Sequence, residues 1–104
     1  MARFDVYANP EAAGRTAIPF ILDVQSDYLA GFETRVVVPL FAAGRYSTPV
    51  RGLNPQFEVA GKSVVMDTAS IGAIPIGELR RPVVNIATHQ LQIQDALDAL
   101  FGGY

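Results

Sequence analysis

Only one stretch of this chain has helical spacing, the segment that leads into "ALDALFGGY" (Ala96 to Tyr104). Ile93, Leu97 and Leu100, with Phe101 and Tyr104, recur on one face, while Gln90, Gln94, Asp95 and Asp98 fall on the others. Thr88 reads as the N-cap, and Gly102 as the residue that ends the helix in a left-handed conformation. Upstream, Gly and Pro recur too closely for another helix, so the rest of the chain has to be built from strands and turns.

Those strands can be placed from their patterning. "ARFDVYA" (Ala2 to Ala8) alternates Phe4 and Val6 with Arg3, Asp5 and Tyr7, the period of a half-buried strand, and stops at the turn signal Asn9-Pro10. "AIPFILDVQ" (Ala17 to Gln25) follows, with Pro19 marking an edge or a strand start. In "ETRVVVPL" (Glu33 to Leu40) the triple Val36-Val37-Val38 predicts burial on both faces. Ala42 to Pro55 reads as a loop. "QFEVA" and "KSVVMDTAS" then form a hairpin turning at Ala60-Gly61. "IGAIPIGEL" (Ile71 to Leu79) is a bent strand and a turn, and "PVVNIA" (Pro82 to Ala87) is the last strand. About six or seven short strands and one helix fit a small, partly open barrel with the helix packed on it.

Composition narrows the function. With 104 residues, half of them apolar, the chain is long enough for one small cooperative domain. A net charge of −2 and scattered Lys and Arg argue against an extensive phosphate-binding face. The absence of cysteine excludes disulfides, thiolate metal sites and a Cys nucleophile, and fits a reducing cytoplasm. No signal-like N-terminus is recognisable and no run approaches the ~18 apolar residues of a membrane span, so a soluble protein is expected.

Few residues carry chemistry. His89 has no second His or Cys to share a metal with and reads as a solvated first-turn residue. Asp23 and Asp27 bracket "DVQSD"; two such carboxylates can serve as acid and base, but at a strand end they read as turn-formers. Gly72 and Gly77 have P-loop spacing, yet Glu78-Leu79 stands where Lys and Ser or Thr are required, and the match is rejected. Arg80-Arg81, the one adjacent basic pair, can contact phosphate or simply be solvated. No cofactor, metal or catalytic residue is expected, and a binding protein is the better reading.

Taken in order, "RFDVYANP", "FILDVQSDYL", "TRVVVPLFAA" and "IQDALDALFGGY" resemble the CcdB family of toxins, with "FEVAGKSVVMDTASIGAIPIGEL" similar to its middle hairpin. The resemblance runs from about Arg3 to Tyr104. It implies a mainly β (α+β) fold, a small SH3-like β-barrel with a minor sheet and one C-terminal α-helix, paired into a two-fold homodimer. It further implies a toxin of a type II toxin–antitoxin system that binds the DNA gyrase A subunit and traps gyrase on cleaved DNA, with no catalysis of its own. A CcdA-like antitoxin would neutralise it by folding upon it. Specific nucleic-acid binding and membrane binding are not expected.

Carried onto this chain, the gyrase-binding residues are Tyr28, Leu29, Asp98, Phe101, Gly102, Gly103 and Tyr104. Phe101 has two readings, core packing or partner contact. Gly102 stands where a plasmid-borne family member has a Trp that stacks on gyrase arginines, which leaves Tyr104 or Tyr28 to supply the ring. Two further functions stay open: a homologue that has lost poisoning and only binds antitoxin or another partner, and an endoribonuclease toxin of the MazF-like barrel type.

Overall fold

A computed structural model describes residues 1–103; Tyr104, one of the expected gyrase-binding residues, lies outside the described residues. Among the described residues there are seven antiparallel strands, β1 (Asp5–Ala8), β2 (Phe20–Asp23), β3 (Thr34–Ala42), β4 (Gln56–Val59), β5 (Lys62–Met66), β6 (Gly72–Pro75) and β7 (Val84–Asn85), followed by one α-helix, α1 (Gln90–Phe101). The strands lie in the order β4-β5-β3-β2-β1-β7, with β6 branching from β3, so the sheet curls into a half-barrel that the helix closes. This is the mainly β, one-helix architecture expected from the sequence.

Pro39 marks the place where the sheet divides. One edge of β3 pairs β6 through Thr34 to Val37 and then β5 from Leu40 to Ala42. The Pro39 carbonyl accepts the Asp67 N–H at 3.0 Å on that same edge. The amide hydrogen that proline lacks is therefore missing between the two partners, where no strand asks for it. β2 occupies the other edge, with Ile21 opposite Pro39.

The concave face holds the main core. Val6, Leu22, Val38, Leu40, Val64 and Met66 are buried there with Phe4, Phe20 and Phe57, and α1 covers them with Ile93, Ala96 and Leu97. Each large side chain removed from water contributes ~1.5–3 kcal/mol, so Ile93 and Leu97 are the main anchors of this twelve-residue helix. Tyr7, Ile21, Val37 and Leu79 form a smaller cluster. β1 is consequently not half-buried as its alternation suggests: Asp5, Val6 and Tyr7 are all buried. Of the Val triple, Val37 and Val38 are buried on opposite faces as predicted, while Val36 is only partly buried.

Local chemistry sets the boundaries. Ala60 (φ 49°) and Gly61 (φ 78°) make the expected tight hairpin turn between β4 and β5. Gly102 ends α1 at φ 74°, where a side chain would be strained. Thr88, in contrast, is not the N-cap. Ala87–His89 form a 3-10 turn whose first N–H is bound by Asn85 Oδ1 at 2.9 Å, and α1 starts only at Gln90, with no side-chain cap on His89.

Candidate functional site

The turn after β2 is built by short polar side chains. Ser26 Oγ accepts the Tyr28 N–H at 3.2 Å and starts a 3-10 turn, Asp27–Leu29. Gln25, itself buried, spans the turn: its Nε2 donates to the Leu29 carbonyl at 3.2 Å and its Oε1 accepts the Val36 N–H at 2.9 Å. With its backbone fastened on both sides, the turn holds the Tyr28 ring 95% exposed, and Leu29 beside it is partly exposed.

The end of α1 is the second exposed element. Phe101 is 70% exposed, so within this chain it is not core. The N–H groups of Gly102 and Gly103 both return to the Asp98 carbonyl, the latter at 2.8 Å. A Cβ on Gly103 would come within 3.3 Å of Asp98 Cβ, so glycine allows the chain to fold back closely over that residue.

Arg3 ties these two elements together. Its backbone N–H donates to Asp27 Oδ1 at 2.7 Å, and its Nη2 donates to Gln94 Oε1 at 2.9 Å. Gln94 Nε2 in turn donates to Asp98 Oδ1 at 3.1 Å, which completes a polar chain from the Tyr28 turn to the end of the helix. Phe4 makes the geometry possible by adopting φ 73°, rare for a bulky residue, while its buried ring lies 4.7 Å beneath the Arg3 guanidinium. Strain of ~1–3 kcal/mol is typical of such a backbone and persists only where the surroundings fix it.

Beneath the turn lies a buried ion pair. Arg35 Nε and Nη2 donate to Asp23 Oδ2 and Oδ1 at 2.8 and 2.9 Å, and both side chains are essentially inaccessible. Nη2 also donates to the Gln25 carbonyl at 3.3 Å and lies 3.9 Å from Asp27 Oδ1. Burial raises the pKa of the Asp23 carboxyl; the Arg35 hydrogen bonds and the Gln25 N–H, at 3.0 Å, oppose the rise. Among the described residues, Nη1 of Arg35 is buried without a partner. Asp23 is thus a structural anion supporting the loop, not merely a turn-former, and it is separated in role from the exposed Asp27.

The other sequence candidates fall elsewhere. His89 is not a solvated residue; it is partly buried, with its ring 4.9 Å from that of Phe57. Among the described residues no group of three or more His, Cys, Asp or Glu could hold a metal ion. Arg80 and Arg81 are exposed. Arg3, Gln25, Arg35 and Gln94, which organise the site, were not singled out by the sequence. The only signal for them is register: Arg35 shares a sheet face with Val37, whose partner in β2 is Asp23.

The family model described as CcdB protein matches residues 3–103. The chain belongs to the CcdB family. The match covers both segments of the site and the Arg3 that joins them. It makes the protein a toxin of the toxin–antitoxin kind. No helix among the described residues is long and apolar enough to cross a membrane.

Proposed function

We propose that this CcdB-family toxin binds the DNA gyrase A subunit and traps gyrase on cleaved DNA, blocking replication. The observation that carries the reading is the pairing of two exposed aromatic residues, Tyr28 and Phe101, on segments joined by the Arg3–Gln94–Asp98 chain. Aromatic anchors of this kind supply much of the energy of an interface, ~2 kcal/mol or more each. Leu29, Asp98, Gly102, Gly103 and Tyr104 complete the proposed surface, and Tyr28 supplies ring surface that Gly102 cannot. The toxin works as a cytoplasmic homodimer by binding alone, without catalysis, and a CcdA-like antitoxin removes it.

Gly102 supports a second reading, a family member that retains antitoxin binding and has lost poisoning. Induced expression in a gyrase-sensitive host separates the two. Growth arrest that is relieved by Phe101→Ala and by a co-expressed CcdA-like antitoxin supports poisoning; growth without arrest supports the second reading. Cleavage of single-stranded RNA by the purified protein would replace both with an endoribonuclease.

A further inference from the structure

Arg80 and Arg81 take no part in the Tyr28–Phe101 surface. They line, with Arg15, a separate cleft of about 520 Å3 between the end of β1 and the turn that follows β6. Three of the eight Lys and Arg residues thus converge on one cleft in a chain of net charge −2. Arg15 is anchored there, its Nε donating to the Asn9 carbonyl at 2.6 Å while its terminal nitrogens remain available. Arg80 and Arg81 are exposed, and among the described residues neither has a hydrogen bond or ion pair.

The rest of the lining is as informative as the cations. Glu78 is the only carboxylate in the lining, and Ala8 and Pro10 with Tyr7 form an apolar wall. Each guanidinium carries five N–H donors, whereas one carboxylate offers only two acceptor oxygens. A ligand that satisfies three arginines therefore needs several anionic oxygens close together, as adjacent phosphates provide. Glu78, an acceptor only, can take hydroxyl hydrogens beside the anionic end of the ligand. Arg45, Arg51 and Lys62 do not line the cleft, Arg35 is buried and Arg3 is bonded to Gln94, so the cations of the cleft are Arg15, Arg80 and Arg81.

We propose that this cleft binds a nucleoside di- or triphosphate, with the phosphates on Arg15, Arg80 and Arg81, the ribose hydroxyls on Glu78, and the base against Ala8 and Pro10. Its volume falls within the range of small-molecule sites, ~300–1,000 Å3.

Isothermal titration of the full chain with ADP, pyrophosphate, adenosine, an oligothymidine and an acidic peptide tests the assignment without reference to gyrase. ADP should bind most tightly, pyrophosphate more weakly, and adenosine not detectably. The R80Q/R81Q variant should lose about tenfold or more in ADP affinity, a difference of ~1.4 kcal/mol. Its circular dichroism and Tm should be unchanged, because both side chains are exposed; Glu78→Gln should narrow the preference for ADP over pyrophosphate. No binding of ADP or pyrophosphate at ~1 mM, a dissociation constant too weak to matter, would overturn the proposal. Equal ADP affinity in a folded R80Q/R81Q variant, or tighter binding of oligothymidine or the acidic peptide, would do the same.

Discussion

Replacing Arg35 with Met probes the support beneath the Tyr28 turn. The substitution leaves the fully buried Asp23 carboxylate with only the Gln25 N–H, where three hydrogen bonds now hold it. Breaking one half of a buried pair costs ~3–5 kcal/mol. A domain of this length has ~5–15 kcal/mol in total, so the loss is a large fraction of its stability. The sign of the pH dependence follows from Asp23. Burial already raises its pKa, and losing Arg35 raises it further, so the folded variant binds a proton that the unfolded chain gives up. The deficit of Arg35→Met should therefore be smallest in acid and grow as pH rises through the raised pKa. In the double variant Asp23→Leu with Arg35→Met neither charge of the pair is left buried, and it should be more stable than Arg35→Met alone. Urea unfolding of the native chain and the two variants from pH 4 to 8 reads all of this. A cost below ~1 kcal/mol for Arg35→Met, the level of an exposed pair, or a double variant no better than the single, would refute the argument.

Three more outcomes follow from the packing. Ile93→Ala, at a fully buried position of α1, should lose ~2–5 kcal/mol, whereas Leu91→Ala, 80% exposed two residues earlier, should change stability by less than ~0.5 kcal/mol; thermal unfolding compares them. Burial and the neighbouring Asp5 push Tyr7 up to about 12, so between pH 10 and 12 the folded state keeps a proton that the unfolded state has lost. Stability should fall over that window by roughly 2–3 kcal/mol, and Tyr7→Phe should remove that part of the slope in alkaline unfolding curves. Gly102→Ala should cost ~1 kcal/mol, because φ 74° is strained for any residue with a Cβ although the space there is open.

What was legible in the sequence was local. The Ile93 and Leu97 stripe of α1, the Gly102 stop and the Ala60-Gly61 turn follow from residues within a few positions of one another, and they appear where the pattern puts them. The polar site was hidden because its partners are distant. Arg3 reaches Asp27 and Gln94, 24 and 91 residues away, and Asp23 meets Arg35 only through the β2–β3 register. Thr88 has the chemistry of an N-cap but lies inside a 3-10 turn, Ala87–His89, whose first N–H is taken by Asn85 Oδ1, so the α-helix starts beyond it. Phe101 shows the limit of periodicity, since it lies at the edge of the apolar stripe and only packing shows that it stays in solvent.

The central claim is that this chain poisons gyrase through the Tyr28 and Phe101 surface. Purified gyrase, ATP and supercoiled DNA, incubated with micromolar toxin and then treated with detergent and protease, provide the direct measurement. Linear DNA should accumulate with the native chain and fall sharply with Tyr28→Ala and Phe101→Ala, both exposed and both expected to fold normally. Failure of the native chain to produce linear DNA, or cleavage by either variant undiminished from the native level, would contradict the account.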